Sequence, residues 1–140
     1  MVAEKEYYKI DQFNNVEADY LDVLTECYDK GGVLIGAIAA NGKLVGLGSI
    51  GGMAIEGRLE TLQLEQLYIS NSHRHQGVGK KLVSLLKDEA RELGAKKLYV
   101  SSIPTKNSVD FYRSVGFELT TPVKELFELE PEDIHMELVL

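Results

Sequence analysis

Arg74-His75-Gln76-Gly77-Val78-Gly79-Lys80 combines residue types that suit an anion: two glycines one residue apart, a cation at each end, and an apolar helical pattern directly after. Where a strand gives way to a helix, the first helical amides lack internal partners and the helix dipole presents a partial positive charge. Gly77 and Gly79 remove side chains that would hold a phosphate away from those amides, while Arg74, Lys80 and Lys81 add charge around them. Charge-assisted hydrogen bonds of about 1.5 to 3 kcal/mol each would together hold a pyrophosphate at micromolar strength. Two phosphate motifs are excluded by the spacing. A P-loop needs Gly and Ser/Thr where Arg74 and Lys81 stand, and a dinucleotide fingerprint needs a third glycine where Leu82 stands. Glycines beside lysine also simply begin helices, so the run by itself defines an anion site and no more.

The elements around it follow from apolar spacing. Val78, Leu82, Leu85, Leu86, Ala90 and Leu93 predict a helix over Gln76 to Leu93, capped by Gly94. Ahead of it, Leu62 to Ser70 reads as a strand whose apolar side chains change phase, Leu62 and Leu64 on even numbers and Leu67 and Ile69 on odd. Strict alternation would forbid this, so one extra residue is expected near Glu65-Gln66, a β-bulge. A strand buried on both faces would have no phase to lose. Asn41-Gly42 joins strands Val33 to Ala39 and Leu44 to Ile50 as a hairpin turn in which both residues tolerate positive φ. Gly51-Gly52 ends the second of these strands.

Tyr7 to Ile10 is a candidate first strand and Val16 to Tyr28 a helix. Lys97 to Ile103 is β-rich, and a short helix follows with Asn107 as N-cap and Gly116 past its end. Phe117 to Thr120 and Ile134 to Leu140 close the chain as strands. A strand-helix-strand unit demands a parallel pair and the hairpins demand antiparallel pairing. The expected fold is therefore a single α/β domain over 1–140, a mixed, mostly antiparallel sheet with a central parallel pair flanked by helices.

With 140 residues the chain can bury roughly two-thirds of its unfolded surface. The formal charge of -7 argues against nucleic acid as a partner, and no apolar run approaches the ~20 residues of a membrane span. The start is acidic rather than signal-like and Cys27 has no disulfide partner, so a reducing cytoplasm is expected. Charge is divided unevenly. From Arg74 to Arg113 nine basic side chains face four acidic ones, whereas the remainder holds six against eighteen. One region favours an anion and the rest a cation.

A second motif gives the anion an identity. Asn107-Ser108-Val109-Asp110-Phe111-Tyr112-Arg113-Ser114-Val115-Gly116-Phe117 resembles the Asn, Phe-Tyr and Gly-Phe element of the GNAT superfamily of acetyl-CoA-dependent N-acetyltransferases. The turn at Arg74 resembles that family's Arg/Gln-x-x-Gly-x-Gly/Ala hallmark. The likeness covers Leu62 to Thr120 well, the 33–50 hairpin loosely, and the chain before Val33 poorly. It implies acetyl-CoA as co-substrate, its pyrophosphate held by the turn from Arg74 through His75, Gln76, Gly77, Val78 and Gly79 to Lys80. It implies further that Leu67 and Ile69 pair with the pantetheine arm, that the amide near Tyr68 polarises the acetyl carbonyl, and that Asn107 bonds the arm. Tyr112 would be general acid to the departing thiolate, and transfer to a primary amine would be direct. Homodimers are common in the family, and a single short helix before Val33 would leave the acceptor site open or completed by a second subunit.

Attack needs a neutral amine, hence a base. Glu65 at the expected bulge is the candidate, since bulges re-aim side chains beside active sites. Gln63 lies near where some family members carry a catalytic glutamate. The acidic remainder suggests a cationic small-molecule or peptide amine as acceptor. The competing reading is a catalytically silent CoA-binding sensor or partner-binding module on the same scaffold. His73 and His75 lack a third metal ligand, His135 reads as an ordinary strand residue, and the acidic stretch from Glu125 to Asp133 reads as a solvated loop.

Overall fold

The computed structural model describes residues 6–9 and 31–140. The expected helix Val16 to Tyr28 and Cys27 lie outside them. The elements are strands β1 (Glu6–Lys9), β2 (Val33–Ile38), β3 (Leu44–Ile50) and β4 (Thr61–Ile69), helix α1 (Val78–Glu92), β5 (Lys97–Ser102), α2 (Lys106–Ser114), β6 (Glu118–Leu119), α3 (Lys124–Leu129) and β7 (Ile134–Val139). The strands form one sheet in the order β1-β2-β3-β4-β5-β7-β6. β4 and β5 are parallel and the other pairs antiparallel. This is the mixed sheet that the sequence predicts.

Helix α1 returns across one face of the sheet, which we call the first face. Its stripe of Val78, Leu82, Val83, Leu86 and Ala90 is fully buried against alternating residues of the strands, including Ile35, Leu64, Leu98, Val100 and Met136. The helix lies close because β3 carries glycine beneath it. A Cβ on Gly46 would stand 2.8 Å from Val78 Cγ1, and one on Gly48 would stand 2.8 Å from Leu86 Cδ1. Gly94, at φ +87, takes the left-handed position that ends the helix. Among the described residues no helix is long and apolar enough to cross a membrane.

Three local readings are corrected. The β2–β3 turn places only Gly42 at positive φ, with Gly42 N–H bonded to Ala39 O and Ala39 N–H to Lys43 O. It is thus a three-residue loop, which needs one left-handed residue rather than two. Helix α2 is capped by Thr105, whose hydroxyl accepts from Ser108 N–H at 3.3 Å, and Asn107 sits inside its first turn. The acidic stretch contains α3, a six-residue helix, where a loop was expected.

On the opposite, second face, Tyr99 ties that helix to the sheet. Val123 N–H donates to the Tyr99 hydroxyl at 3.0 Å, and the hydroxyl pairs with His135 Nδ1 at 2.5 Å. His135 is buried, with Nε2 unpaired among the described residues.

Candidate active site

β4 and β5 pair over Thr61↔Lys97, Leu62↔Leu98 and Gln63↔Tyr99 and then part, while β4 continues on β3 as far as Ile69. The sheet therefore opens at its centre, beyond Gln63. Ser70 N–H bonds Val45 O, so by antiparallel alternation Tyr68 and Gln66 turn their backbone groups to β3 and Leu67 and Ile69 turn theirs to the opening. The Tyr68 amide thus faces β3, and the amides available to a group in the opening are those of Leu67 and Ile69.

The phase change along β4 has a local cause. Ser49 pairs with Gln66 and Ile50 with Leu64, which leaves Glu65 as the extra residue of a bulge. Glu65 is exposed on the second face. Its carboxylate lies over β3, with Oε1 2.8 Å from where a Cβ on Gly51 would stand. Gln63 is half-buried on the same face, across from Tyr99.

Past the end of β4, a short 3-10 turn (Asn71–His73) leads to the glycine run. Arg74 folds back so that Nε donates to Ile69 O at 3.4 Å, and Gln76 Nε2 donates to Ser72 O at 3.2 Å. His75 and Gly77 both take left-handed φ, at 63° and 83°, which swings the chain into α1. The helical ladder begins with Lys81 N–H to Gly77 O. The amides of Val78, Gly79 and Lys80 therefore have no acceptor within the helix, and the exposed Lys80 and Lys81 stand at the same end. These donors suit a pyrophosphate.

The two glycines serve different ends. A Cβ on Gly77 would meet nothing within 4 Å, so Gly77 is needed for its conformation. Gly79 is buried, and a Cβ there would stand 2.9 Å from Phe111 Cε1 and 3.7 Å from Ile69 Cδ1. Gly79 thus clears room for Phe111 rather than for a phosphate. At this point the end of β4, the start of α1 and helix α2 meet, so the two sequence motifs form one structure.

Tyr112, next along α2, packs edge-on against Phe111 and Phe117, with ring centroids 5.3 Å and 5.5 Å apart. Its ring belongs to the first-face core, and burial pushes its phenol up to about 12. At neutral pH it is a proton donor. Asn107 is exposed in the first turn of the same helix. Glu65 and Tyr112 therefore lie on opposite faces of the sheet. The contact of Glu65 with Gly51, just past β3, is not legible in the sequence, because it exists only across paired strands.

A central parallel pair that splays, with a helix start of unpartnered amides and lysines at its end, is an α/β arrangement suited to a phosphate-bearing ligand. The acetyltransferase (GNAT) family model matches residues 3–117, and the chain belongs to that family. It is 33% identical over 89 residues to the L-amino acid N-acyltransferase MnaT of Escherichia coli K12, covering 61% of this chain and 51% of that one. Over 99 residues it is 28% identical to an uncharacterized N-acetyltransferase, YjgM, of the same organism, covering 70% of this chain and 59% of that one. The chain spans about half the length of the curated relatives it matches. Among solved structures, a GNAT family acetyltransferase of Elizabethkingia anophelis with acetyl-CoA bound superposes with a TM-score of 0.75, 17% identity, and coverage of 97% and 98% of the two chains.

Proposed function

We propose that this chain transfers the acetyl group of acetyl-CoA directly to a primary amine, and that the acceptor is cationic. The observation that carries the reading is the opening between β4 and β5, with helical amides that lack an acceptor at its end. Acetyl-CoA, when bound, supplies an activated acyl carbon and a thiol leaving group. The amides of Val78, Gly79 and Lys80, with the charges of Arg74 and Lys80, hold the pyrophosphate, while His75, Gln76 and Gly77 shape the turn that presents them. Leu67 and Ile69 offer backbone groups to the pantetheine amides as a neighbouring strand would, and Asn107 reaches the same arm from α2. The Leu67 amide is placed to stabilise developing charge on the acyl oxygen.

Proton traffic is divided between the two faces. Tyr112 gives its proton toward the first-face side, where sulfur departs, and Glu65 accepts one from the amine approaching on the second face. The acidic balance outside residues 74–113, six basic against eighteen acidic side chains, supports a cationic acceptor by raising its local concentration. The likeness to MnaT, an L-amino acid N-acyltransferase, supports an amine as the acceptor class.

The cofactor assignment is tested by thermal unfolding. Acetyl-CoA at 100 times its dissociation constant should stabilise the fold by about 2.7 kcal/mol, and sodium acetate should do nothing. No shift at saturating acetyl-CoA would remove the assignment.

A further inference from the structure

The exposed Glu65 carboxylate does not project freely from the bulge. It folds back over β3, and Oε1 occupies the space that a side chain at residue 51 would fill, 2.8 Å from the Cβ position of Gly51. Gly51 is buried and continues the ladder, its N–H bonded to Gln63 O at 2.9 Å. Gly48 presents its Cβ direction to Leu86 of α1, so in a pleated strand Ser49 and Gly51 both face the other way, toward Glu65.

We infer that Gly51 is a positioning residue for the base: it is the seat on which the Glu65 carboxylate rests. This deepens the proposed role of Glu65 and rests on it. β3, and not the bulge alone, then determines where the proton acceptor sits relative to an incoming amine. The arrangement also keeps the carboxylate from lying across the β4/β5 opening before the amine arrives.

Gly51→Ala is a clean probe. The atom it would strike is the far end of a flexible side chain, so the carboxylate must leave while the backbone stays. Crystal structures of the wild type and Gly51→Ala should show the carboxylate on Gly51 in the first and displaced in the second. With acetyl-CoA and an aliphatic diamine, Gly51→Ala should lower kcat roughly tenfold and leave the acetyl-CoA KM within about twofold. It should add nothing in a Glu65→Gln background. A carboxylate away from Gly51 in the wild-type crystal, or unmoved in the variant, overturns the seat whatever the activity. A Glu65→Gln enzyme at the wild-type rate instead discards Glu65 as the base, which is a different failure.

Discussion

The ring of Phe111 stands against Gly79 so closely that a Cβ there would lie 2.9 Å from Cε1. This contact joins the start of α1 to α2 and so fixes the anion-binding amides relative to Tyr112. Gly79→Ala should therefore destabilise the fold by about 1 to 3 kcal/mol, the usual cost of overpacking, and weaken acetyl-CoA binding with it. If Gly79 served only to admit a phosphate, alanine would instead stabilise the helix by up to roughly 1 kcal/mol. Urea unfolding of Gly79→Ala separates the two, and Phe111→Leu added to it should recover part of the loss.

Tyr112→Phe should reduce kcat roughly 10- to 100-fold with acetyl-CoA affinity within about twofold, the signature of a lost proton donor. Because burial pushes the phenol up to about 12, its titration does not enter the kcat/KM profile between pH 6 and 9. The shape of that profile should be the same in the variant.

The same phenol links stability to pH. Unfolded it titrates near 10, and folded at about 12. Between these values the native state retains a proton that the unfolded chain has released, so stability falls as pH rises, by up to roughly 3 kcal/mol. Below pH 10 the contribution is fully present. Unfolding free energies of wild type and Tyr112→Phe, measured from pH 9 to 12, should differ in slope over that window.

Tyr99→Phe removes the hydroxyl shared by Val123 N–H and His135 Nδ1. Two buried groups lose their partner, at about 1 to 3 kcal/mol each. Hydrogen exchange should report the loss first in α3 and the segment before it, ahead of β4 and α1.

Much of this architecture is legible in the residues themselves. The stripe from Val78 to Ala90 has one solution, and the shift of apolar phase between Leu64 and Leu67 marks the bulge that the Ser49/Gln66 and Ile50/Leu64 pairs show. Where two residues suit one role, sequence chooses poorly. Thr105 and Asn107 are both good N-caps, and only the chain path selects Thr105. Helix α3 escapes notice because glutamates surround its few apolar residues and only Leu126 is half-buried. The reason for Gly79, and the seat at Gly51, depend on residues distant in sequence or on another strand, and no local pattern carries them.

The central claim is acetyl transfer to an amine, and thiol release from acetyl-CoA across a panel of amines tests it most directly. The panel should span aliphatic diamines, aminoglycosides, amino acids and a lysine peptide. We expect release that depends on the amine, is fastest for acceptors of net positive charge, and yields one acetylated amine per thiol. Stabilisation by acetyl-CoA with no amine-dependent thiol release from any of them would contradict the account and leave a protein that binds the cofactor without using it.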